Sequence, residues 1–163
     1  MNSIEHQHHH GHGGAHRATD SLNRVAFSAT VHCLTGCSIG EVLGMVIGTA
    51  LGMSNASTIA LAIALAFVSG YLMTMRPLLG SGLPFAQAAR TALLADTASI
   101  TVMEIVDNLV MLVIPGAMNA PLDAPLFWGS LAVSLAIAGV AAYPLNRWLI
   151  ARGQGHAVVH QQH

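Results

Sequence analysis

Two stretches of an otherwise apolar chain carry residue types that bind cations and move protons. Cys33, Cys37, Glu41 and Met45 recur every fourth residue, so on a helix they share one face, and His32 stands beside that row. Further along, Asp96, Glu104 and Asn108 fall on a second such row. Asp107 adds a carboxyl one turn from Glu104, with Met103 and Met111 close by. Ionisable groups at such places are costly in a lipid environment and mark functional sites by default.

Cysteine, histidine, methionine and carboxylate together form a metal-ligand set. Thiolate and thioether favour soft Cu(I), whereas imidazole and carboxylate widen the choice to Zn(II) or Fe(II). On this reading His32, Cys33 and Cys37 are the ligands, and Met45 and Met103 are soft auxiliaries. Glu41, Glu104 and Asp107 continue the path or take the protons that ligands release on metal binding, and Asp96 counts among the metal-site residues. Two rivals remain open. One is thiol redox or assembly chemistry at Cys33 and Cys37, against which stands a Cβ separation of about 5–6 Å for residues four apart on a helix. A disulfide needs about 3.8 Å. The other rival is a structural subunit of a larger membrane complex, with the acids acting as interhelical hydrogen-bonding groups.

The elements that carry these rows are transmembrane helices. The 163 residues are 53% hydrophobic and 8% charged, with no lysine. A soluble domain carries about 25% charged residues, so the expected solvent for most of this surface is lipid. With about 20 apolar residues needed per crossing, the spans read as 25–53, 57–75, 91–114 and 125–150. Arg76-Pro77 is expected to close the second span, Phe85 to Arg90 to form an interfacial helix, and Pro144 to kink or end the fourth. At 1.5 Å per residue, Cys37 lies ~20 Å beyond Arg24 and Glu104 ~21 Å beyond Arg90, while Glu41 and Asp107 both come out at ~26 Å. The two polar faces therefore match in depth and, turned toward one another, line a common path.

All six arginines (Arg17, Arg24, Arg76, Arg90, Arg147 and Arg152) fall on one side of a four-span topology. The positive-inside rule makes that side cytoplasmic, with both termini there. Gly36, Gly40, Gly44, Gly48 and Gly52 form a ladder on the first span, echoed by Ala62, Ala66, Gly70 and Thr74 on the second and Ser130, Ser134, Ala138 and Ala142 on the fourth. Small residues at this spacing let helix backbones approach closely in lipid. The facing helix belongs either to the same chain or to a second copy in a homo-oligomer. The net charge of −1 excludes a nucleic-acid partner bound through phosphate contacts. No nucleotide-binding loop and no Ser-His-Asp arrangement point to an enzyme, and the first residues do not read as a secretory signal peptide. Residues 1–22 read as a disordered tail whose His6, His8, His9, His10, His12 and His16 suit labile metal collection. Residues 23–152 form the membrane domain, and 153–163 a polar tail with His156, His160 and His163.

The string His32-Cys33-Leu34-Thr35-Gly36-Cys37-Ser38-Ile39-Gly40-Glu41, followed by Gly44-Met45-Val46-Ile47-Gly48, resembles the signature of the domain-of-unknown-function 4396 family. The likeness runs from about Ala26 through the fourth span. It implies a small bacterial integral membrane protein and carries no established activity. Copper-protein-like domains joined to some relatives lean toward copper. The sequence thus leads to an all-α polytopic bundle of about four transmembrane helices in the bacterial inner membrane. Its expected role is to bind a transition metal, Cu(I) favoured, between spans one and three and pass it across or hand it over.

Overall fold

A computed structural model describes the backbone of residues 12–152 and the side chains of residues 19–152. Four long helices account for nearly all of it: α1 (His12–Ala50), α2 (Asn55–Gly80), α3 (Phe85–Val113) and α4 (Pro125–Ala151), with a short 3-10 turn at Ala117–Asn119. There is no strand among the described residues. The first helix is already formed at His12, where the described residues begin, so residues 12–22, expected as disordered tail, are helical. The other tail residues lie outside those described.

Several local expectations shift. The interfacial helix foreseen at Phe85 to Arg90 is the first part of a continuous α3, which opens directly after Pro84. Pro77 sits inside the last turns of α2 rather than closing it, and the chain leaves the helix only at Ser81. Pro144 likewise lies within α4, which runs on to Ala151. Helices in lipid tolerate proline where neighbouring groups satisfy the freed carbonyl. Ser54 caps α2, its hydroxyl accepting from the Ser57 amide at 3.3 Å.

The glycine ladder explains the closest contact in the bundle. A Cβ on Gly36 would come 2.7 Å from Gly70 Cα, and one on Gly48 would come 2.5 Å from Thr58 Oγ1. Those on Gly40 and Gly44 would run into the backbones of Ala66 and Ala62. The ladders of α1 and α2 therefore zip together within one chain. Between them the Ser69 hydroxyl donates to the Gly36 carbonyl at 2.5 Å. Gly52 does not belong to the zipper. It has φ +63° with open space around it, and it turns the chain out of α1.

With α1 locked to α2, the remaining pairs α2–α3, α3–α4 and α4–α1 close a ring, and α1 meets α3 across its short diagonal. Toward its arginine-bearing end α4 joins α1 by polar contacts: Asn146 donates to Thr30 Oγ1 at 2.9 Å and Arg147 to Asn23 Oδ1 at 2.8 Å.

Three helical segments are long and apolar enough to cross a membrane by composition alone: Thr19–Ala50, Asn55–Gly80 and Pro125–Ala151. The third helix is less apolar because it carries Asp96, Glu104 and Asp107, but all three are buried, whereas Leu94, Ile105, Leu112 and Val113 face outward. Its polar residues are turned in and its apolar ones out, the inverse of a water-soluble helix. On α4, Trp128 and Trp148 are twenty residues and so ~30 Å apart along the axis. That is about the thickness of the hydrocarbon layer, at whose edges tryptophan concentrates. The chain is a polytopic membrane protein with an antiparallel four-helix bundle.

Candidate functional site in the α1–α3 seam

A continuous column of buried polar side chains follows the diagonal where α1 faces α3. At its arginine-side end, the Cys33 thiol donates to Asp96 Oδ1 at 3.7 Å. Ser99 lies beside the same thiol. Thr74 of α2 adjoins Asp96 and also meets His32 Nε2 at 3.1 Å through its hydroxyl. His32 is half-buried and turned toward α2. It reaches the column through Thr74.

One turn further out Cys37 lies against Glu104, and Glu41 adjoins both Glu104 and Asp107. Ser134 of α4 stands behind Asp107. All these side chains are buried: Cys33 and Cys37 are 1% exposed, Glu41 and Glu104 4%, Asp107 5%. The level-by-level pairing read from helix rise, Cys37 with Glu104 and Glu41 with Asp107, is thus the one the fold adopts. The two cysteines are free thiols.

The outer part of the column is short of hydrogen-bond donors. Neither carboxyl oxygen of Glu41 or Glu104, nor Asp107 Oδ1, meets a nitrogen or hydroxyl donor among the described residues. Their immediate neighbours are each other and the Cys37 thiol. The nearest arginine on α3, Arg90, is fourteen residues and so ~21 Å below Glu104. Three ionised carboxylates cannot persist side by side in a low-dielectric interior.

A cavity of about 50 Å³ adjoins this trio, lined by Glu41, Glu104 and Asp107 together with Met45, Met111 and Met118. Above it, at the arginine-free end, a wider recess of about 410 Å³ opens under the turn after α1 and the connection after α3. Met103 lies elsewhere, packed at 1% exposure into the apolar cluster of Cys33, Cys37, Ile100 and Ala138. Met45 therefore reaches the chamber, while Met103 supports the thiols from the side. Among the described residues no three of the His, Cys, Asp and Glu side chains converge as a preformed metal cage. The groups are strung along the seam instead.

Sequence reasoning did not single out Thr74, Ser99 or Ser134 as partners of the acids. Thr74 and Ser134 were legible only as rungs of small-residue ladders, and Ser99 gave no signal. Met118 sits in a connection whose path only the fold defines.

Neither the curated proteins nor the solved structures contain a match to this chain. A family model described as "Domain of unknown function (DUF4396)" matches residues 22–155, which takes in α1 from Leu22 onward, α2, α3, α4 and the whole polar seam. The chain belongs to that family of domains of unknown function.

Proposed function

We propose that this protein moves a transition-metal cation, Cu(I) in preference to Zn(II) or Fe(II), through the bacterial inner membrane along the α1–α3 seam. One observation carries the reading: a buried, unbroken run of thiols and carboxyls whose outer trio meets no cationic side chain among the described residues. Cys33, Cys37, Glu41, Asp96, Glu104 and Asp107 supply successive coordination positions, and Thr74 links His32 to the inner end. Because the donors are spaced along the path, each site holds the ion through few ligands. Weak successive sites let an ion leave as well as enter. Protons displaced as the ion advances pass to the neighbouring carboxyls.

A second reading has its own support. Direct contact among Glu41, Glu104 and Asp107 is also the arrangement of a proton relay, in which the thiols pack the path without binding metal. Elemental analysis separates the two. The full chain is purified after Cu(I) loading, with the nine tail histidines replaced by alanine, and compared with its Cys33→Ser/Cys37→Ser counterpart. The metal reading expects copper in the first and a loss of most of it in the second. Equal copper content would remove that reading and leave the relay.

A further inference from the structure

Four of the chain's eight methionines, Met45, Met53, Met111 and Met118, line one recess at the arginine-free end of the bundle. They come from three separate places: α1 and the turn that follows it, the end of α3, and the 3-10 turn after α3. Methionine usually fills gaps in an apolar core, and Met111, at 6% exposure, does so in part. Met45, Met53 and Met118 are different. They are only half-buried, and they share the recess with Thr49, Asn55, Thr58 and Asn119. The Asn55 amide donates to Asn119 Oδ1 at 3.0 Å, which ties the two connections together across its rim.

Three of these methionines, Met45, Met111 and Met118, also line the 50 Å³ chamber together with Glu41 and Glu104, whose buried carboxyl oxygens have no hydrogen-bond partner among the described residues. That chamber has room for a dehydrated cation or a few waters, each of which needs about 10–15 Å³. Thioether sulfur is a neutral, soft ligand that prefers Cu(I) or Ag(I) and gives little to hard cations such as Mg²⁺. The carboxyls just below supply the negative charge that thioethers lack.

We infer that Met45, Met111 and Met118 form a binding site for a soft monovalent cation, set directly above the Glu41–Glu104–Asp107 trio. The site depends on the proposed function only for its use as the outer port of the path. Cation binding there stands on three methionines and three carboxyl residues lining one chamber of about 50 Å³. In the membrane orientation set by the arginines, the recess faces away from the cytoplasm, so the ion meets thioethers before thiols.

The test labels the full-length chain with 13C-methyl methionine in lipid nanodiscs and adds Ag(I), a redox-inert probe for Cu(I). Single Met→Leu substitutions assign the methyl signals. The expected result is that the methyls of Met45, Met111 and Met118 shift with one equivalent of Ag(I), while those of Met73 and Met75 stay, and that Mg²⁺ moves none. The triple Met→Leu variant keeps the apolar volume, so it should retain its helical circular dichroism. It should bind Ag(I) at this site roughly 10–100-fold more weakly, as for the loss of groups that support a metal site. Unmoved Met45, Met111 and Met118 signals, or equal shifts with Mg²⁺, would overturn the inference. Shifts without any Ag(I) flux across the bilayer would remove the transport reading and leave the site in place.

Discussion

Glu41 shows most clearly how a single side chain can separate stability from function. Among the described residues its two oxygens meet no nitrogen or hydroxyl donor, and its neighbours are the carboxyls of Glu104 and Asp107. Glu41→Gln brings an amide with two N–H donors into a pocket of acceptors and removes a charge that must otherwise be neutralised. The variant should therefore melt no lower than the parent in detergent, and up to about 1 kcal/mol of added stability fits the net value of a buried hydrogen bond. The same change should cut cation movement, because the chamber loses an anionic ligand. Thermal melting alongside a vesicle flux assay checks both halves, and a lower melting point would show that Glu41 has a partner the geometry does not provide. The i, i+4 spacing of Cys33, Cys37 and Glu41 and the matching spacing on α3 made the meeting of these side chains legible in the sequence. The place of His32 was not readable. Spacing puts it beside Cys33, yet a residue one step along a helix points about 100° away, and here that direction leads to Thr74 of α2.

The α1–α2 pair is the element on which the seam depends, since it fixes the rotation of α1 and hence where its thiols point. Gly40→Ala would press a methyl into the backbone of Ala66, and overpacking of this kind costs roughly 1–3 kcal/mol. Ala66→Gly should fail to rescue it, because the atoms met are main-chain atoms of Ala66 and Leu65. Gly52→Ala has nothing to clash with but must hold φ near +63°, a strain of about 1–2 kcal/mol. Melting midpoints should fall for both. Loss of the α1–α2 contact, read by cross-linking between cysteines introduced at Thr35 and Leu72, should follow only the Gly40 change. The period-four glycines announced a close helix pair, and Gly36 to Gly48 form it. Gly52 continued the period while serving a turn, a distinction set by backbone angle that spacing does not encode. The helical turns at residues 12–22 were missed, because apolar periodicity marks the buried part of a helix and says little about polar turns that extend beyond it; a helix start at Phe85 was legible from Pro84, but its unbroken run into the third span was not.

For the whole molecule, the four helices place the turn at residues 51–54 and the connection at residues 114–124 at one end, with the arginine-bearing segments at the other. In a Cys33→Ser/Cys37→Ser background, a cysteine at Asp20 and one at Asp123 should react with an impermeant maleimide from opposite sides of sealed vesicles. Labelling from the same side would contradict an even number of crossings. The central claim is that the α1–α3 seam is a cation path, and flux through the purified full-length chain tests it most directly. Sealed proteoliposomes containing a Cu(I)-sensitive dye, with external Cu(I) held by a weak chelator, should fill through the parent protein. The rate should drop by about tenfold or more in Cys33→Ser/Cys37→Ser and in Glu41→Gln, as expected when a bound ion loses a ligand or its support. Parent vesicles that fill no faster than protein-free ones, or variants that conduct as well as the parent, would contradict it.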